Sequence, residues 1–211
     1  MKLTTLSSNR QETAAFLETK TKDFLLPDFV KPAGYKVVTN EETKQKEGIV
    51  QTICLIWSAG EHAETVYKVK TIVRDEPNAY LPLKKYTQLI VWRQIAGIHG
   101  HVLSSFAREV FNFLLQSYNV MITDEQQTPD GQRFWLDRIG EALVMADREV
   151  YYVDLNELDD NLVPVIERIS SHEELMGNYC PKGWGADESH RNRAFIISKL
   201  NLVDNLEAKP T

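Results

Sequence analysis

Between residues 86 and 156 the hydrophobic pattern changes period four times, which commits this part of the chain to strands joined through helices. The run Tyr86 to Ile95 is rich in β-branched and aromatic residues. Ala96-Gly97-Ile98-His99-Gly100 breaks it, and Leu103, Phe106, Ala107, Val110 and Leu114 then recur at helical spacing. Asn119 to Thr123 is a second strand. Thr128-Pro129-Asp130 reads as a helix start, with threonine as N-cap, proline at the first position and an acid in the first turn. Trp135, Ile139, Ala142 and Leu143 mark the buried face of that helix, and Glu149 to Leu155 is a third strand. Strands linked through helices imply a locally parallel arrangement with right-handed crossovers.

The front half has a different rhythm. Gly48 to Ser58 is a strong strand, Ala59-Gly60-Glu61-His62 a turn, and Glu64 to Arg74 alternates as a half-exposed antiparallel strand does. Residues 48–95 thus predict a three-strand meander. An antiparallel meander joined to a βαβαβ unit makes a mixed α+β fold. The predicted organisation is one domain over residues 1–211. Residues 1–47 hold an N-terminal helix (Glu12 to Phe24, with Ala15, Phe16 and Phe24 inward) and an irregular segment with a short strand at Lys36 to Thr39. Residues 157–192 form a long insertion, with Ser171 to Leu175 as a capped short helix. Arg193 to Leu200 closes the sheet by pairing antiparallel with 149–155.

Composition narrows the function classes. The net charge is −6 and the pI about 5.4, which disfavours a grip on bulk nucleic acid, since that needs a basic surface. Cys54 and Cys180 are too few for a disulfide framework or a cysteine metal site. No His and carboxylate pair stands at the i, i+4 spacing of a metal site, and none is expected. No apolar signal core or membrane-length run is present, so the expected setting is the cytoplasm, without a membrane partner.

The turn at residues 96–100 is where backbone chemistry alone points to a ligand. A helix that starts there aims N–H groups and a positive dipole end at whatever lies above it, and an anion such as a phosphate fits. The order of elements resembles the GNAT acyltransferase fold, in which a meander leads to a strand, a pyrophosphate-binding turn and a helix, and then to a strand, a helix and a final hairpin. The family turn is written Gln/Arg-x-x-Gly-x-Gly/Ala followed by paired leucines. Gln94, Gly97 and Val102-Leu103 match it, while His99 stands where a small residue is expected. The segment Ile122 to Trp135 is similar to bacteriophage-encoded members, which would place the chain in a host cytoplasm. Over residues 48–200 the resemblance implies acetyl-CoA as cofactor, bound by Gln94, Ile95, Gly97, Ile98, His99, Gly100 and Val102. It also implies a cleft between the 86–95 and 119–124 strands for the pantetheine arm.

Catalysis needs an ionisable group near the thioester. Asp124, at the carboxyl end of its strand, is a candidate to position an amine or act as base. His99 is a second candidate, with His101 beside it at the helix mouth. The helix after residue 128 offers Phe134 and Trp135 but no tyrosine to protonate a departing thiolate, so Tyr152, or its neighbour Tyr151, is the candidate for that role. Three functions stay open: an acyl-CoA-dependent N-acyltransferase acting on a small-molecule amine or a protein, a non-catalytic GNAT-fold phage protein that binds a phage or host protein or serves in the virion, and an unrelated small α/β binding protein.

Overall fold

The computed structural model describes residues 6–60, 62–74, 86–94, 98–123, 129–185 and 192–202. Among them the chain runs α1 (Leu6–Glu18), β1 (Thr21–Asp23), β2 (Tyr35–Asn40), β3 (Thr43–Gln45), β4 (Gly48–Ala59), β5 (His62–Arg74) and β6 (Tyr86–Arg93). It continues with α2 (Gly100–Leu115), β7 (Asn119–Thr123), α3 (Pro129–Val144), β8 (Glu149–Leu158) and β9 (Pro164–Ile169). After α4 (His172–Glu174) come a π-helical turn, α5 (Cys180–Gly183) and β10 (Arg193–Ser198). The class is mixed α+β, and most strand pairs are antiparallel. Among the described residues no helix is long and apolar enough to cross a membrane. Two compact units emerge, residues 1–72 with 89–113, and residues 73–88 with 114–211.

In the first unit the strand order is β1-β2-β4-β5-β6, with β3 set against β4. Gly60 turns β4 into β5 with φ +59°, a left-handed conformation that glycine adopts without a Cβ penalty. The antiparallel register places Val38 opposite Cys54 and Tyr35 opposite Trp57. Side chains alternate across a strand, so β2 and β4 present two different faces. Val38, Cys54 and Ile56 pack with Phe16 and Leu17 of α1, whereas Tyr35 and Trp57 meet His99, next to the start of α2. α2 buries Leu103, Phe106, Ala107, Val110 and Leu114, the stripe that its periodicity predicts, and Val102 besides. Phe106 sits edge-on between Phe29 (5.3 Å) and Tyr67 (5.5 Å).

β5 breaks its own alternation. Glu64 meets His99, and Thr65 meets Asn9 of α1. Two residues after Thr65, Tyr67 touches Phe106 of α2 rather than α1. Strict period two would give Thr65 and Tyr67 the same face, so the pattern slips by one residue between them, as at a β-bulge. The sequence reading of regular alternation over Glu64 to Arg74 misses this slip.

In the second unit β6 and β7 pair in parallel, with Tyr86 opposite Asn119 and Gln88 opposite Met121. This is the arrangement expected of a strand–helix–strand crossover. β10 then inserts between β7 and β8, antiparallel to both, with Ile196 opposite Met121 on one side and Tyr151 on the other. β7 and β8 therefore run the same way without pairing with each other. Tyr86, Met121, Tyr151, Val153, Ala194, Ile196 and Leu202 form a core there, and α3 buries Trp135, Ile139 and Ala142. Residues 157–192 are not all insertion, because β9 pairs with β8. The short helix α4 starts as predicted, with Ser171 Oγ accepting from Glu174 N at 3.1 Å.

Candidate functional site

The mouth of α2 lies in the first unit. Ile98 and His99 turn the chain into the helix, and Val102 N–H donates to His99 O at 3.0 Å. Ile98 is 71% exposed, and among the described residues nothing beyond the adjoining chain stands within 4 Å of where a Cβ on Gly100 would lie. His101 folds back so that its Nδ1 donates to Ile98 O at 3.0 Å. Among the described residues Gly100 therefore starts α2 with space beside it, while Val102 and Leu103 are buried, and an exposed helix start suits an anion. Ile95 and Gly97, the other half of the predicted cofactor turn, lie outside the described residues, as does Asp124. Gln94, just after β6, gives its N–H to Val66 O (3.0 Å), and its side-chain oxygen is buried without a partner among the described residues. Val102 is buried in the core and its N–H is already given to His99 O, so the predicted role of Val102 in holding a cofactor does not fit.

His99 goes elsewhere. Only 3% exposed, its ring links two other buried groups. Nε2 lies 3.0 Å from Glu64 Oε1 and Nδ1 2.7 Å from the Tyr35 hydroxyl. A carboxylate oxygen only accepts, so Nε2–H donates to Glu64, and in a neutral imidazole Nδ1 then accepts from Tyr35 O–H. Trp57 lies edge-on to the imidazole at 5.3 Å. Burial, and then the charge of Glu64, hold the Tyr35 phenol above its ordinary value, so it keeps its proton. The imidazole is thus occupied at both nitrogens inside the unit. It does not offer a solvent-facing base, and its bulk does not stand over the helix mouth.

Tyr152 lies in the second unit on β8, buried among Tyr179 (4.9 Å) and Phe195 (5.7 Å). Its hydroxyl donates to Asp154 Oδ2 at 3.3 Å, and Asp154 also accepts from Arg193 Nε at 2.7 Å and Asn156 N at 2.9 Å. Burial foremost, then the Asp154 charge, push its phenol well above the ordinary value. Burial alone would raise Asp154, yet the hydrogen bonds from Arg193 and Asn156 hold its carboxyl below the usual range. This is a satisfied internal network, and Tyr151 is likewise buried, donating to Glu149. Burial raises the thiols of Cys54 to about 12 and Cys180 to about 11, so neither is poised as a thiolate.

Sequence reasoning places His99 beside the helix mouth but misses Glu64, Tyr35 and Trp57. A lone glutamate in a strand carries no local signal of burial, and its partner is 35 residues away in the chain. Compared with protein-family models, curated proteins and solved structures, the chain matches none.

Proposed function

We propose that the chain is a GNAT-like acyl-CoA-dependent N-acyltransferase whose acceptor is an amine of a small molecule or a protein. The observation that carries this reading is the sequence β6–turn–α2–β7, with β6 parallel to β7 and α2 opening beside the exposed Ile98 and Gly100. The inward course of His99 supports it, because it removes bulk from the position where the family pattern has a small residue. Backbone N–H groups of the 97–100 turn would hold the pyrophosphate, and the β6 backbone would orient the acyl group. Acyl-CoA, when bound, supplies an activated thioester. Among the chain's own residues Asp124 remains the candidate that takes the proton of the amine, since His99 and Tyr152 are committed to internal hydrogen bonds.

Those two commitments, with no tyrosine in α3, favour a second reading, a GNAT-fold phage protein that binds a partner or serves in the virion without catalysis. Calorimetry with acetyl-CoA, with adenosine as control, followed by assay of free CoA in the presence of amines, separates the two. The enzyme reading expects binding, turnover, and a loss of roughly 10²–10⁴-fold in rate for Asp124→Asn without loss of binding. Binding without turnover selects the second reading. Absence of acetyl-CoA binding removes the cofactor assignment altogether.

A further inference from the structure

The first unit carries a second cleft, on the face of β2 and β4 that α1 covers and α2 does not. About 390 Å³ there is free of protein atoms, open solvent at its mouth included. α1 contributes Asn9, Glu12 and Phe16, β4 the Cys54 thiol, β5 Thr65 and Lys68, and β6 Trp92. One end is fixed and satisfied. Asn9 Nδ2 donates to Thr65 O (3.0 Å), Thr65 N donates to Asn9 Oδ1 (3.1 Å), and the Thr13 and Thr65 hydroxyls meet at 2.8 Å. These groups have little left to offer a ligand.

Lys68 differs. Among the described residues its ammonium has no hydrogen-bond or ion-pair partner, although it is half-buried and close enough for its charge to pull down on the Cys54 thiol. The slip in β5 is what turns Lys68 to this face. Trp92 and Phe16 line the same cleft. An unpaired ammonium in a cleft that two aromatic side chains also line suits a monoanion with a flat apolar body. A phosphate dianion would need more donors than one ammonium gives. Glu12 stands exposed, where water screens it. We infer that this cleft binds a small aromatic or similarly flat carboxylic acid, its carboxylate on Lys68 and its body against Trp92 and Phe16. The inference does not depend on the acyl-CoA reading.

The test uses the full chain and para-fluorobenzoate, followed by fluorine NMR and by the Trp92 indole N–H resonance, which is assigned through its absence from Trp92→Phe. Wild type should bind the probe and shift that resonance. Lys68→Met, which keeps the apolar stem, should weaken binding at least about tenfold, and Glu12→Gln should leave it equal or tighter. On wild type, added salt should weaken binding as well, a readout that stands if Lys68→Met fails to fold. Equal binding of para-fluorobenzylamine, an unmoved Trp92 resonance, no binding at millimolar probe, salt-insensitive binding, or undiminished affinity in folded Lys68→Met would each overturn the proposal.

Discussion

Removing the imidazole of His99 would strand two buried groups at once, the Glu64 carboxylate and the Tyr35 hydroxyl. An uncompensated buried charge and a ring-sized void both count, so His99→Ala should cost about 3–5 kcal/mol of stability. Tyr35→Phe leaves only the Nδ1 lone pair unpaired and should cost about 1–2 kcal/mol. Urea denaturation of the two variants checks the order, and a cost below about 1 kcal/mol for His99→Ala would contradict the network. At this scale the sequence shows where chemistry-bearing residues stand along the chain but not what they touch. His99 could be placed before a helix by the Gly97 and Gly100 breaks. Its inward course depends on Tyr35, 64 residues away, and a local pattern cannot carry that. The reading of Tyr152 as a proton donor failed to anticipate Asp154 and Arg193 for the same reason, since the arginine comes from β10.

Elements were more legible than contacts. The meander β4 to β6, the helices α2 and α3, and the strands β7, β8 and β10 all follow from apolar periodicity strong enough to override local noise. α1 begins and ends earlier than the Glu12 to Phe24 span expected of it, and its inward positions explain the shift. Asn9 and Thr13 face the sheet alongside Phe16 and Leu17, so half of its buried stripe is polar. β1 and β3 are three residues each and β9 lies among acidic residues, too little pattern to read. The packing of α5 on β10 yields a sharper test. A Cβ on Gly183 would lie 2.5 Å from Phe195 Cε2 and 2.9 Å from Cζ. Phe195 is buried and stacked on Trp184 at 4.5 Å, so it has nowhere to go. Gly183→Ala should destabilise by about 1–3 kcal/mol, while Gly140→Ala, in α3 with nothing within 4 Å, should stabilise by up to about 1 kcal/mol. Thermal melts of the pair read the difference in sign.

Across the whole molecule, pH acts through its buried phenols. Tyr35, Tyr151, Tyr152 and Tyr179 are all raised above the ordinary tyrosine value, with burial the largest cause in each. In the unfolded chain they titrate near about 10. Below that value both states hold these protons and the groups add no pH dependence. Above it the unfolded chain releases them first, so stability falls as pH rises toward the folded values. Asp154 acts at the other end. Its contribution is present above the unfolded carboxyl value of about 3.9 and is lost as pH falls through its lowered folded value. The melting temperature should decline from about pH 10 upward, and a flat profile to about pH 12 would refute the alkaline half. The division into two units constrains anyone who would dissect this protein. Each unit is assembled from two stretches of chain, so no single cut separates them. A cut after Phe113 leaves the first unit whole but carries away Tyr86, Thr87 and Gln88, the residues that pair with β7. A C-terminal fragment expressed alone would thus present the bare side of β7 as a template for another strand, and would be prone to self-association where the intact chain has its own cover.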